Sequence, residues 1–221
     1  MRNLGELNAR GYRVAIEGAC KKAGIPKRYE MVMLTRRAEP DFDYVDELTD
    51  GRGLFIHGKV GTGKTELACR IAAGYQLEHS DLFSIGDEYI VRTRKTVRFV
   101  VATNLLSEIK STYDSKDGSE EAVMAKYTKC DLLVLDDLGG KEGNVTPWVA
   151  SKLWQLINDR YNSLKSTVVT TQYSAGELGG KLCSSDEDSQ DAVSMISRLI
   201  ETCRDVKLEG RDHRLANRRC G

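Results

Sequence analysis

Gly58-Lys59-Val60-Gly61-Thr62-Gly63-Lys64-Thr65 is the stretch around which the rest of this chain has to be arranged. An apolar run, Leu54-Phe55-Ile56, leads into it, and a helix-forming run from Glu66 to Glu78 leads out. Strand, glycine-rich loop and helix in that order form the context in which this spacing cradles phosphate. Gly58, Gly61 and Gly63 let the backbone curl with its N–H groups turned inward. The following helix adds the positive end of its dipole, so an oxyanion is held largely by main chain. Lys64 can reach terminal phosphates, and the Thr65 hydroxyl can take a place on Mg²⁺. Motif and flanks together point to a nucleoside triphosphate rather than to a glycine-rich surface turn that happens to end in Lys-Thr.

With 221 residues and 40% hydrophobic content, the chain fits one α/β domain with a short N-terminal extension. The formal net charge is zero, so global electrostatics select no partner. The distribution is less even: residues 1–37 carry nine Lys/Arg against Glu6, Glu17 and Glu30. The expected division is therefore a basic helical arm over 1–37 and a nucleotide-binding domain over 38–221. Such an arm suits nucleic acid, or is simply a solvated helical face. The six cysteines show no C-x-x-C pair and no metal-ligand spacing, and Cys69 and Cys130 read as small core residues in a reducing compartment. There is no apolar signal region and no run of membrane-spanning length, so a cytoplasmic protein without a membrane partner is expected.

Residues 3–23 read as a helix with Leu4, Leu7, Val14 and Ala15 inward, stopped at Gly24-Ile25-Pro26. Ile25 to Tyr29 reads as an elbow and 30–50 as a charged connector, with Phe42, Tyr44 and Val45 packing towards the nucleotide. Ser80 to Thr96 is polar, and Arg92, Arg94, Lys95 and Arg98 gather there beside Tyr89 and Phe99. It reads as an exposed hairpin or loop, the other reading being a surface for a single nucleic-acid strand. Val97–Ala102 is an inner strand, Thr103-Asn104 a cap for a helix from Leu105 to Tyr113, and Glu120–Lys129 another helix. Leu132 to Leu135 is a continuous apolar run, typical of a parallel strand buried on both faces, and ends in Asp136-Asp137. Thr146-Pro147 opens a helix whose Val149, Leu153, Leu156, Ile157 and Leu164 should face the sheet. Ser166–Thr171 is a strand ending at Gln172. Ser184–Asp191 is an acidic loop, Ala192–Thr202 a last helix and Arg204–Leu208 a last strand. Alternating strands and helices imply a mostly parallel sheet covered on both faces, a three-layer αβα fold.

A phosphate loop needs a second element that positions Mg²⁺ and the attacking water. Asp136, at a strand end where ligands sit in open α/β sheets, would hold the metal. Asp137 would orient or activate water near the γ-phosphate. A strand-terminal Asx turn is the plainer reading of the pair. Gln172 can reach the γ-phosphate or the water, or be a surface amide. Arg198 lies in the amphipathic run around Met195, Ile196 and Leu199 and has two readings: a snorkelling structural residue, or an arginine finger aimed at a neighbouring subunit's nucleotide.

With these elements in order, the chain resembles the AAA+ ATPases of the DnaC and IstB type, bacterial helicase loaders and transposition helpers. Carrying the resemblance are Gly24 to Tyr29, Gly58 to Thr65, Leu132 to Gly139, Leu156 to Tyr161, Val168 to Gln172, Ser197-Arg198-Leu199 and Gly210 to Arg214. It implies a P-loop NTPase with ATP and Mg²⁺ as ligands. Gly58, Gly61, Thr62, Gly63, Lys64 and Thr65 become Walker A, Asp136 and Asp137 Walker B, Gln172 sensor 1, Arg198 the finger, and Arg214 a second nucleotide-sensing arginine. It also implies a single-stranded DNA path along Asn104–Tyr113, with Tyr113 stacking on bases and Lys110 meeting phosphate. The implied function is an ATP-dependent replication accessory protein that forms homo-oligomers with ATP, binds single-stranded DNA and loads a replicative helicase. The alternative is an IstB-type helper of a transposase. The chain departs from the pattern in having Gln172 where Asn is usual and Asp137 where Glu is usual in such motors. Residues 80–96 are longer than expected, and the arm is shorter than a loader's separate helicase-binding domain. A small-molecule kinase would need an arginine-bearing lid, and none stands out between Gly140 and Val168.

Overall fold

The computed structural model describes residues 4–35, 37–85, 88–114, 118–140, 146–183 and 189–210. Its helices are α1 (Ala9–Ala23), α2 (Lys27–Leu34), α3 (Lys64–Glu78), α4 (Ala102–Ser111), α5 (Glu120–Thr128), α6 (Pro147–Asn162), α7 (Ala175–Leu182) and α8 (Ser189–Thr202). The strands are β1 (Gly53–His57), β2 (Ser80–Ile85), β3 (Glu88–Thr93), β4 (Val97–Val101), β5 (Leu132–Leu138), β6 (Ser166–Thr171) and β7 (Cys203–Lys207). Five strands form one parallel sheet in the order β4-β5-β6-β1-β7, and β2 and β3 form a separate antiparallel hairpin.

Strand alternation divides the core into two layers. Leu54, Ile56, Val134, Val168 and Val206 face α1 and α3. Phe55, Leu133, Leu135 and Val169 face the side covered by α4 to α8. β1 and β6 are buried at every residue, which explains their apolar and β-branched composition. The expected αβα fold with a mostly parallel sheet is the one observed.

The boundary expected at residue 37 does not interrupt the packing. On α1, Ala15, Ile16 and Cys20 are fully buried in the same cluster as Ala72 of α3. Asn8 caps α1 by accepting from the Gly11 N–H at 2.8 Å, and Gly24 ends it in the left-handed region at φ 77°. Helix α2 then starts at once: the expected elbow is its first turn, and the expected connector contains the rest of it. Met33 is fully buried, and its carbonyl accepts from the Tyr12 hydroxyl at 3.0 Å.

Other expectations are corrected. Val45 packs under Gly74 on α3, not towards the nucleotide. Thr103 and Asn104 lie inside α4, which follows β4 without a loop because Ala102 is already buried against the core. Leu164 is 68% exposed: α6 ends before it, and it occupies a left-handed turn position at φ 50°. Helix α7 was not anticipated, and Ser189–Asp191 are the first turn of α8; residues 184–188 of the expected acidic loop lie outside the described residues.

Strands β2 and β3 do pair as a hairpin. One side of it lies on α1, with the Tyr89 ring against Gly11 and Val91 against Gly18. Three of the four cations gathered there are tied to protein partners. Arg94 meets Asp81 at 3.5 Å, Lys95 lies over the Tyr75 ring at 5.7 Å, and Arg98 donates to the Lys22 carbonyl at 3.3 Å. Cys69 and Cys130 are buried and free, as expected, and burial pushes both thiols up. Among the described residues no helix is long and apolar enough to cross a membrane.

Candidate nucleotide site

The loop between β1 and α3 curls through three left-handed or otherwise positive-φ glycines: Gly58 at 147°, Gly61 at 81° and Gly63 at 92°. At Gly58 a side chain is also sterically barred, because a Cβ would sit 2.2 Å from the Leu208 carbonyl oxygen. Thr62 closes the loop by donating to the Lys59 carbonyl at 2.9 Å. Gly63 is the N-cap of α3 without a side-chain cap, so first-turn N–H groups are left for a ligand. Lys64, mostly buried, donates to the carbonyls of Gly58 and Lys59, each at 2.7 Å.

A cleft of about 960 Å³ opens here at the C-terminal end of the sheet. Gly61, Gly63, Lys64, Thr65, Asp136, Asp137 and Gln172 all line it, although they come from three separate parts of the chain. Its other wall was missed by sequence reasoning: Tyr29 and Val32 of α2 and Phe99 and Val101 of β4 give it an apolar patch, beside Arg28, Thr35 and Arg37. This pairs a polar phosphate end with a surface suited to a flat heterocycle. The signal available was the Ile25-Pro26 stop: Pro26 stands at the N-cap of α2 and itself lines the cleft.

The two aspartates are presented by an irregularity in β5. Leu135 pairs with Val169 and Leu138 with Thr171, so three steps on β5 match two on β6. The extra residue is a β-bulge. In a regular strand neighbouring side chains point to opposite faces. Here Asp137 takes φ 57°, and both carboxylates line the cleft. Asp136 is buried and accepts from the Thr170 hydroxyl at 2.6 Å and from the Thr65 hydroxyl. Burial pushes its carboxyl above the usual range, against the downward pull of those two hydrogen bonds; Asp137 adds to the rise and Lys64 opposes it.

Among the described residues no three His, Cys, Asp or Glu cluster as a metal cage. Mg²⁺ needs no such cage, since it is commonly held by one or two carboxylates and the phosphates it accompanies. Thr65 and Asp136, two hard oxygen donors already in contact, fit that ion.

Other predicted residues lie elsewhere. Arg198, on α8, is not in the cleft lining: its Nη1 donates to the Ser194 carbonyl at 3.0 Å, and the guanidinium stacks 5.5 Å from the Tyr161 ring centre. Its Nε is buried without a hydrogen-bond partner. Arg214 lies outside the described residues. Lys110 and Tyr113 stand at the end of α4 beside Trp148, which sequence reasoning missed. The Lys110 ammonium is 4.9 Å from the Trp148 ring centre, and Trp148 Nε1 donates to the Tyr113 hydroxyl at 3.0 Å. The Tyr113 hydroxyl in turn donates to Glu120. Tyr113 is 56% exposed, so it does not pack into the core.

Comparison with known proteins agrees with this geometry. Residues 41–221 match the family model described as IstB-like ATP binding protein. A Mycobacterium tuberculosis protein named as ATP-binding in an insertion sequence, Rv3427c, is 26% identical over 167 residues, 76% of this chain and 57% of its own length. The replicative helicase loader DnaI of Bacillus subtilis is 23% identical over 174 residues, 76% of this chain and 50% of its own. The chain thus spans about half the length of these curated relatives. The replication initiator DnaA bound to AMPPCP and single-stranded DNA superposes with a TM-score of 0.54 at 19% identity, over 76% of this chain and 44% of that one. The fold is that of an AAA+ P-loop NTPase domain, and with four-fifths of its residues inside the family match, the chain belongs to the IstB-like ATP-binding family.

Proposed function

We propose that this chain is an ATP-dependent DNA-replication accessory protein that binds single-stranded DNA and loads a replicative helicase, with ATP hydrolysis as its assembly switch. The observation that carries this reading is the division of the hydrolytic groups. The phosphate loop, Asp136, Asp137 and Gln172 share one cleft, whereas Arg198 is held on α8 outside it. A site divided in this way is completed by the Arg198 of an adjacent copy, in a head-to-tail arrangement.

In this mechanism the loop N–H groups and Lys64 bind the β- and γ-phosphates, and the apolar patch from Tyr29 to Val101 receives the base. Mg²⁺, when bound through Thr65 and Asp136, supplies positive charge at the phosphate oxygens. Gln172 and Asp137 orient a water. The water oxygen bonds to the γ-phosphorus, the bond to the β,γ-bridging oxygen breaks with its electron pair leaving on ADP, and the Asp137 carboxylate accepts a water proton. Arg198 from the next copy stabilises the charge spread over the transferring group. Single-stranded DNA lies across Lys110 and Tyr113, phosphate on the cation and base on the ring. Asp137 and Gln172 favour slow, partner-dependent turnover.

The second reading is a helper of a DNA transposase acting on duplex DNA. It is favoured by the family match and by the relative from an insertion sequence. A pull-down against the host's replicative helicase, with and without ATP, separates the two. ATP-dependent retention supports helicase loading. No retention, or retention indifferent to nucleotide, transfers the reading to the transposase helper, which is then tested by ATP-dependent binding to duplex DNA with the transposase.

A further inference from the structure

The bulge in β5 puts two carboxylates opposite one residue of β6, and that residue is Thr170. Its hydroxyl donates to Asp136 Oδ1 at 2.6 Å and accepts from the main-chain N–H of Asp137 at 2.9 Å. One donor and one acceptor site are thereby committed, one to each aspartate. Thr170 is 1% exposed and sits in β6 next to β1, paired with Ile56. A β-branched side chain on a buried central strand has little rotamer freedom, so the hydroxyl is a fixed point.

Both bonds have consequences in the cleft. The bond to Oδ1 turns the Asp136 carboxylate in its plane and so determines which oxygen is left towards Thr65. The bond from the Asp137 N–H helps to hold that residue in the left-handed region at φ 57°, which is uncommon outside glycine although Asp enters it more readily than most. The Asp137 carboxylate then lies over the next turn: a Cβ on Gly140 would be 2.4 Å from its Oδ1, so glycine keeps that space free.

We infer that Thr170 is a positioning residue for both carboxylates, setting the metal-holding oxygen of Asp136 and the water-orienting pose of Asp137 through a single hydroxyl. This rests on the reading of the cleft as a Mg²⁺–ATP hydrolytic site. Val matches Thr in shape but cannot make either bond, whereas Ser keeps the hydroxyl.

The test compares Thr170→Val and Thr170→Ser by two readouts. The first is Mg²⁺ titration of the binding of a fluorescent ATP analogue. The second is steady-state hydrolysis with kcat and KM separated. Thr170→Val is expected to leave metal-free nucleotide affinity within about twofold, to raise the Mg²⁺ half-saturation by about tenfold, and to lower kcat by about ten- to a hundredfold with KM little changed. Thr170→Ser should restore both to within about threefold of wild type. An unchanged Mg²⁺ half-saturation and kcat in Thr170→Val overturns the inference, as does a Ser variant as defective as the Val one. If Val is not accommodated and the protein melts early, Thr170→Ala against Thr170→Ser makes the same comparison. A wild-type protein that binds Mg²⁺–ATP without turning it over would refute the hydrolytic reading, while the Mg²⁺ titration still decides on Thr170.

Discussion

The Lys64 ammonium lies 2.7 Å from the main-chain oxygen of Gly58, inside the loop whose ligand it is placed to meet. A phosphate oxygen has to compete with this bond and with the equal one to Lys59. Lys64→Met removes the grip. ATP at about one hundred times Kd should stabilise the wild type by about 2.7 kcal/mol, a rise of about 5–11 °C in Tm for a domain of this size. The variant should shift by less than about 1 °C, measured by differential scanning calorimetry.

Asp136 carries a stability cost that can be measured. Burial raises its folded pKa above the unfolded value, so the folded state binds the proton more tightly. Its charged form therefore weakens the fold above that folded pKa, and the penalty is relieved as pH falls through it. Asp136→Asn removes the charge while keeping an oxygen for Thr170. Its Tm in nucleotide-free buffer with a chelator should exceed wild type by about 2–5 °C at neutral pH, with the gap closing as pH falls into the acid range. Mg²⁺-dependent turnover should be lost in the same protein.

Arg160 belongs to the opposite end of the sheet. Its guanidinium is 1% exposed and donates to the Thr167 hydroxyl at 2.9 Å and to the carbonyls of Tyr127, Cys130 and Ser166 at 2.7, 2.9 and 2.5 Å. One side chain thus ties α5 to the starts of β5 and β6. Arg160→Met strands those carbonyls and should cost about 3–5 kcal/mol in urea unfolding. Nucleotide affinity of the folded fraction should stay within about twofold, since no part of Arg160 lines the cleft.

Arg198→Ala should separate binding from assembly-stimulated turnover. ATP affinity is expected within about threefold of wild type, while the stimulated rate falls by about 10³. Melting should change little, because the side chain contributes a stack on Tyr161 and one bond to the Ser194 carbonyl of its own helix, and leaves its Nε unpaired. Unchanged stimulated turnover would remove Arg198 from the site.

Trp148 extends the proposed DNA surface from one ring to two. Trp148→Ala and Tyr113→Ala should each weaken binding of a single-stranded oligonucleotide by about 1–3 kcal/mol. Lys110→Ala should lower the salt dependence by about one released ion, seen as a slope change in log Kd against log salt. Fluorescence anisotropy over a salt series reads both effects.

The parts of this molecule that were legible in its sequence are those where local chemistry decides. The phosphate loop needs its glycines wherever it occurs, and an apolar run such as Leu132–Leu135, bounded by Asp131 and Asp136, is too short for a helix and fits an inner strand. Elements decided by packing were less visible. Helix α7 carries Gly176, Gly179 and Gly180, which dilute its pattern, although Ser174 and Glu177 form a capping box that marks its start. The bulge at Asp136-Asp137 exists only in relation to β6, so neither the φ of Asp137 nor the role of Thr170 was accessible from β5 alone. Trp148 meets Tyr113 across 35 residues of chain, and no periodicity within α6 marks that contact.

The strand that flanks β1 on one side, β7, is the last one made among the described residues. Gly53 of β1 pairs with Cys203 of β7, Leu208 returns an N–H to the His57 carbonyl at 2.7 Å, and the Leu208 oxygen lies where a Gly58 side chain would be. During synthesis the cradle therefore waits for about 150 residues of chain to emerge after its own glycines have left the ribosome. A chain cut before β7 would retain every motif residue from Gly58 to Arg198 and still lack the wall against which the loop is formed.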